Sequence, residues 1–110
     1  MDFAEKRKSI RVPVHLDASF QLGDKNFNGK LLNLSVDGCF LQSAELFHAG
    51  ELIDLNFRIP DQEMEFKGKI MWVGSADKSQ PSFGMGIHFE DPIPFQHEAL
   101  ETFLRELLNN

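Results

Sequence analysis

Two arginines near the start of the sequence carry its clearest potential for chemistry. Arg7 and Arg11 are separated by three residues, and together with Lys6 and Lys8 they supply four of the eleven basic side chains. A guanidinium offers parallel donors to phosphate oxygens or to the O6/N7 edge of guanine, and its plane can stack on a base. The pair therefore suits an anionic ligand, although a solvated basic tail is the more common explanation for this spacing alone.

The rest of the chain is acidic, and this narrows the class of anion. The formal net charge is -6, whereas sequence-independent binding to DNA or RNA depends on many phosphate contacts by Lys and Arg. Acidic surface farther away than about 8 Å is largely screened at physiological salt. We therefore expect one small anion as the ligand, and no DNA or RNA partner.

A second polar motif follows at residues 33–38, with the sequence Asn-Leu-Ser-Val-Asp-Gly. Asn33 and Ser35 alternate to the same side of a predicted strand end, where both could hydrogen-bond a base. Gly38 permits a turn with positive φ. An ordinary Asx or Ser/Thr turn is the alternative for these residues.

Apolar residues at every second position predict a series of short strands. Small residues, Gly84 and Gly86, lie on one face of the last strand, where another group can pack closely. In the fifth strand the alternation places Trp72 on the same face as Phe66 and Ile70, so Trp72 is expected in the core. The predicted strands are 12–20, 27–34, 39–42, 53–59, 64–72 and 83–89.

The spacing changes after Pro92 and Pro94 to that of an amphipathic helix over residues 94–108. A sheet of six strands must bury one face and protect its edges. The sequence therefore predicts a mainly β protein, a six-stranded antiparallel barrel (residues 12–90) capped by the helix. We expect a single domain over 1–110, with residues 1–11 as a flexible ligand-binding arm. The apolar face of the helix is expected to comprise Leu100, Phe103, Leu104, Leu107 and Leu108.

Catalytic and metal sites find no support in the sequence. The four histidines show no metal-ligand spacing with one another or with Cys39, and neither a phosphate-binding loop nor a nucleophile elbow is present. We expect no enzyme activity, no metal and no cofactor. A lone cysteine favours a reducing compartment such as the cytoplasm, and no apolar run of about 18 residues suggests membrane insertion.

Taken together, the two polar motifs resemble a known family. They are similar to the R-x-x-x-R and (D/N)-x-S-x-x-G signatures of PilZ domains. The segment Gly84-Met85-Gly86-Ile87-His88-Phe89 is similar to the G-x-G-[IV]-x-F strand that such domains often carry. The resemblance covers nearly the whole chain.

The resemblance implies a PilZ-like split barrel that binds the bacterial second messenger cyclic di-GMP, with the N-terminal arm wrapped around the ligand. Arg7 and Arg11 would contact phosphates and guanine, while Asn33, Ser35 and Gly38 would form the turn facing one guanine. Asn33 stands where Asp is commoner in the family, and it offers an amide donor where Asp offers only acceptors.

Three functions remain open at this point. The leading one is a cyclic di-GMP receptor that signals to a protein partner. A constitutive adaptor of the same fold that binds no nucleotide is the alternative. An oligonucleotide-binding barrel, with aromatic residues as a stacking platform, is the least favoured because of the net charge.

Overall fold

The computed structural model describes residues 10–60, 62–77 and 82–109, and Arg7 lies outside these ranges. Within them, six strands are followed by one helix, as the sequence predicts. The bounds are β1 (Val12–Leu22), β2 (Lys25–Leu34), β3 (Gly38–Ser43), β4 (Leu52–Ile59), β5 (Gln62–Asp77), β6 (Ser82–Glu90) and α1 (Pro94–Leu108).

The strands form a closed barrel in the order β1-β2-β3-β6-β5-β4, and every neighbouring pair is antiparallel. Closure removes the open edges that a sheet of this size would otherwise expose. The alternating apolar residues of the strands fill the interior, as the period of two requires. The predicted mainly β fold, a six-stranded antiparallel barrel with a C-terminal helix, is confirmed. Its most deeply buried large side chains include Phe20, Leu31, Leu41, Leu55, Met64, Ile70, Met85 and Ile87.

The first hairpin is tighter than the sequence suggests. Gly23 has a φ of 64°, a conformation that glycine adopts without steric cost. With Asp24 it forms a two-residue turn, so β2 begins at Lys25 and not at Phe27.

Helix α1 closes the barrel with only part of its predicted apolar face. Leu100 and Leu104 are buried in the core, whereas Leu107 and Leu108 are 36% and 52% exposed. The helix packs against β1 and β5, and these two leucines of its last turn stay accessible to solvent. No helix in the described part of the chain is long and apolar enough to span a lipid bilayer.

Two β-bulges change which residues face outward. In β2, Leu32 has no partner in the register with β3, because Leu31 pairs with Leu41 and Asn33 already pairs with Phe40. In β5, Met71 is the extra residue in the register with β6, between the partners of Ile87 and Gly86. Each extra residue reverses the alternation that follows it.

The bulge in β5 overturns one prediction. Trp72 was expected beside Ile70 in the core, but the extra residue turns it to the outer surface, where it is 50% exposed. Val73 returns to the interior side and packs against the core.

Candidate functional site

The two bulges create a row of outward-facing residues across four neighbouring strands. Asn33 of β2 pairs with Phe40 of β3, which pairs with Gly86 of β6, which pairs with Trp72 of β5. Without the bulges, Asn33 and Trp72 would share the inward face of Leu31 and Ile70. The row places an amide and two aromatic rings on the outside of the barrel.

Glycines allow the aromatic rings of this row to lie against the sheet. The rings of Phe40 and Trp72 have centroids 5.5 Å apart and planes inclined by 36°. A Cβ atom on Gly86 would collide with the indole of Trp72, and one on Gly84 would collide with the ring of Phe40. The expectation that this face of β6 admits a closely packed group is therefore confirmed.

Arg11, the residue immediately before β1, extends its side chain to the same surface. Its Nη1 donates a hydrogen bond of 2.9 Å to Oδ1 of Asn33, and both side chains remain partly accessible to solvent. Asn33 thereby uses its acceptor oxygen to orient a guanidinium that would otherwise be free to move.

Ser35 organises the turn between β2 and β3 from a buried position. Its Oγ accepts hydrogen bonds from the backbone N–H groups of Asp37 (3.2 Å) and Gly38 (3.1 Å), and its own N–H donates to the Gly38 carbonyl (2.8 Å). These are the bonds of a Ser/Thr turn. The hydroxyl therefore fixes the backbone of the turn at Asp37 and Gly38.

Gly38 is required for a reason that differs from the predicted one. It is not among the residues with positive φ, which are Gly23, Gly50 and Asp91 in the described chain. A Cβ atom at position 38 would instead collide with the backbone carbonyl oxygen of Ile87 on the neighbouring strand β6. Close packing of two backbones, and not a left-handed turn, excludes a side chain here.

The turn and the outward row border one cleft on the barrel surface, with a volume of about 340 Å³. Pockets for small ligands generally measure about 300–1,000 Å³, so the cleft is of a suitable size for part of a nucleotide. The predicted residues Arg11 and Ser35 both line it, and Asn33 contributes through Arg11. The full lining is Arg11, Ser35, Asp37, Met71, Trp72, Gly86, Ile87 and His88.

Three polar or aromatic side chains of the cleft were not predicted as site residues: Asp37, Trp72 and His88. Asp37 lies inside the recognised motif, and His88 occupies an outward position of the glycine-containing strand, so both carried a signal in the sequence. Nδ1 of His88 lies 2.8 Å from Oε2 of Glu90. Trp72 carried the opposite signal, since its spacing predicted the core.

Cys39 lies on the interior side of this region and takes no part in the surface chemistry. Burial raises the pKa of its thiol to about 12, and the nearby positive charge of Arg11 offsets this only in part. A thiol that stays protonated is a poor nucleophile. Among the described residues no group of three or more His, Cys, Asp or Glu side chains could hold a metal ion.

The arrangement combines an aromatic plane, an oriented guanidinium and a carboxylate in one open cleft. An aromatic plane can stack on a nucleobase, and a guanidinium can pair with a phosphate. These are groups that bind a ligand. The Ser35 hydroxyl bonds to backbone groups of its own turn, and the His88 ring pairs with Glu90.

One family model and several solved structures match this chain. The family model described as PilZ domain matches residues 5–106. The inhibitor of motility MotI/DgrA from Bacillus subtilis superimposes with a TM-score of 0.81 at 21% identity, over 94% of this chain and 52% of that one. The PilZ domain of YcgR from Escherichia coli, solved with c-di-GMP, gives a TM-score of 0.71 at 13% identity, over 93% and 94% of the two chains.

A third structure, the MrkH–c-di-GMP complex of K. pneumonia, gives a TM-score of 0.75 at 15% identity, over 93% of this chain and 51% of that one. The chain thus spans about half the length of MotI/DgrA and of MrkH. No curated protein sequence matches it. At these identities the structural matches establish the fold.

Proposed function

Because the chain belongs to the PilZ domain family, we propose that it is a receptor for cyclic di-GMP and not an enzyme. One observation carries this proposal: Arg11, Trp72 and the turn held by Ser35 border the same cleft. The nucleotide contains two guanines and two phosphates, which are the groups that an aromatic plane and a guanidinium bind. The YcgR and MrkH structures, which contain c-di-GMP, give further support.

Each residue of the cleft has a distinct part in the proposed complex. The indole of Trp72 stacks on a guanine, and Arg11 donates hydrogen bonds to a phosphate or to the O6/N7 edge of a base. Asn33 holds Arg11 in place, whereas Ser35 and Gly38 set the shape of the turn. Arg7, assigned from the sequence alone, supplies the second guanidinium.

The proposed output is a change in the surface that residues 1–11 and the barrel present to a protein partner. Binding of both arginines to one nucleotide would fix the arm against the cleft, so the ligand could favour one arrangement of this surface. A net charge of -6 favours a protein over a nucleic acid as the partner. We place the receptor in the cytoplasm, since Cys39, the only cysteine of the sequence, makes no disulfide within the chain.

Calorimetric titration with cyclic di-GMP tests the proposal. We expect binding by the wild type and a loss of at least about tenfold in affinity for Arg7→Ala and for Arg11→Ala, because each removes charge-assisted hydrogen bonds. Arg58→Ala is the matched control, since Arg58 is exposed and pairs with Glu63 at 3.7 Å, away from the cleft. If cyclic di-GMP gives no binding heat with the wild-type protein, the proposal is contradicted.

The constitutive adaptor makes a different prediction for the partner. A partner captured with this protein should be recovered in equal yield with and without nucleotide if the barrel is an adaptor, and in unequal yield if it is a ligand-dependent receptor. The receptor is favoured because the cleft retains Arg11 and an exposed Trp72, which an adaptor would not need.

A further inference from the structure

A carboxylate stands at the border of the cleft with its backbone fixed on both sides. The N–H of Asp37 donates to Ser35 Oγ at 3.2 Å, and its carbonyl oxygen accepts a hydrogen bond of 2.8 Å from the N–H of Phe89 on β6. Asp37 is exposed and lines the cleft together with Trp72. The turn therefore fixes the backbone from which this carboxylate extends, at the border of the cleft that Trp72 also lines.

No interaction with the rest of the described chain occupies the Asp37 carboxylate. Across residues 10–60, 62–77 and 82–109, neither a side-chain hydrogen bond nor an ion pair involves it. An ionised carboxylate has two acceptor oxygens and no donor. It is available to a ligand that presents two neighbouring donors.

Asn33 cannot supply these acceptors. It has one acceptor atom, the carbonyl oxygen, which already accepts from Arg11 Nη1, and its other polar group is the NH2 donor, so it cannot offer two acceptor atoms side by side. Asn33 also does not belong to the residues that line the cleft, whereas Asp37 does. Asp37 is therefore the residue of this turn that can offer two acceptor atoms side by side to the cleft.

We propose that Asp37 recognises the Watson–Crick edge of a guanine stacked on Trp72 and so sets the selectivity of the cleft for guanine. This inference rests on the proposed function and adds a specificity-determining residue to it. Guanine presents N1–H and an N2 amino group side by side, which matches the two carboxylate oxygens. Hypoxanthine lacks the N2 amino group, and adenine presents an N1 lone pair that a carboxylate repels.

The test compares cyclic di-GMP, cyclic di-IMP and cyclic di-AMP by calorimetry on wild type and Asp37→Asn. Removing the negative charge of Asp37 should strengthen the binding of any anion. Because all three ligands carry two phosphates, this effect is the same for each and cancels in the ratios of their affinities. For wild type we expect cyclic di-GMP to bind at least about tenfold more tightly than cyclic di-IMP, the range of one hydrogen bond to a charged group. For Asp37→Asn the ratio should fall to about two or less.

Two further variants make the result specific. Asp54→Asn removes an exposed carboxylate from β4, outside the cleft, and should leave every ratio unchanged. Asp37→Glu retains both acceptors and should keep a larger ratio than Asp37→Asn. The midpoint temperature of thermal unfolding shows whether each variant is still folded. We expect midpoints close to that of the wild type, because the side chain of Asp37 is exposed.

Failure of this inference differs from failure of the proposed function. If Asp37→Asn binds cyclic di-GMP and keeps the wild-type preference over cyclic di-IMP, Asp37 does not recognise the base, while the receptor function stands. If wild type binds cyclic di-GMP and cyclic di-IMP equally, Asp37 again has no such role. If wild type binds no cyclic dinucleotide, both proposals are wrong.

Discussion

At the scale of single residues, the cleft depends on groups that sit in fixed positions before a ligand arrives. Arg11 is tethered to Asn33 at 2.9 Å, and Trp72 lies over Gly86 with the ring of Phe40 5.5 Å away. A side chain that is already ordered loses less conformational entropy on binding, which would otherwise cost about 0.5–1.5 kcal/mol per side chain. Such ordering favours ligand affinity without additional contacts.

Trp72 is the only tryptophan of the sequence, so its fluorescence reports on the cleft directly. We expect cyclic di-GMP to change the emission of the wild type, because a stacked guanine alters the environment of the indole. Trp72→Ala should lower affinity by about 1–3 kcal/mol, the value of one base stacked on an aromatic side chain, and Trp72→Phe should retain part of it. Leu52→Ala, at an exposed site on β4, is the control and should bind as the wild type does. If the emission of the wild type is unchanged when it is saturated with nucleotide, stacking on Trp72 is excluded.

Asn33 is proposed as a positioning residue, and a double-mutant cycle measures this role. Asn33→Ala should weaken nucleotide binding less than Arg11→Ala, since the guanidinium remains but loses its tether. The double variant should bind about as weakly as Arg11→Ala alone, because residues that act through one another are not additive. Additive losses in the calorimetric affinities would mean that Asn33 contacts the ligand independently of Arg11.

At the scale of elements, bulges and glycines determine which side chains reach the site. The alternation of apolar residues correctly predicted the strands, since the period of two is a direct consequence of strand geometry. It failed at Trp72 because the extra residue Met71 reverses the period without leaving a mark in the hydropathy pattern. The same limit applies to Asn33. The sequence predicts that its side chain can hydrogen-bond a ligand, but the face of β2 on which it lies depends on the extra residue Leu32.

Gly86 offers a test of the close packing beneath Trp72. Gly86→Ala places a Cβ atom against the indole, so the ring must move. We expect a shifted tryptophan emission and weaker nucleotide binding, with the barrel still folded. Gly74→Ala is a matched control on the adjacent strand, because the nearest atom to its Cβ is Cζ3 of Trp72 at an ordinary 3.8 Å. Equal affinities for the two variants would show that the position of the indole does not matter.

At the scale of the whole molecule, the barrel serves as a rigid support for a site on its outer surface. Both the closed sheet and the helix were predictable, since the change from a period of two to helical spacing marks their boundary. The exposure of Leu107 and Leu108 was not predictable, because the length of helix that the barrel covers depends on the docking of α1. The reason for Gly38 was also hidden, since it depends on the approach of β6.

The interior gives the fold a measurable dependence on pH. Burial raises the pKa of Cys39 from 9.0 to about 12, so between these values the unfolded chain releases a proton that the folded chain keeps. Ionisation then favours unfolding, and stability should fall by about 1.4 kcal/mol per pH unit above about pH 9 through this group. Below pH 9 the thiol is protonated in both states and contributes no slope.

Urea unfolding of wild type and Cys39→Ala between pH 7 and about pH 10.5 isolates this contribution. Lysine titration affects both proteins equally, so the difference between their stabilities should narrow as pH rises. A constant difference across the range would show that the Cys39 thiol ionises as readily in the folded chain as in the unfolded one.

The central claim is that the cleft beside Arg11 and Trp72 binds cyclic di-GMP, and calorimetric titration of wild type and Arg11→Ala with this nucleotide tests it most directly. We predict saturable binding by the wild type and an affinity lower by at least about tenfold for Arg11→Ala, with both proteins equally folded. Absence of binding by the wild type, or equal affinity of the two proteins, would contradict it.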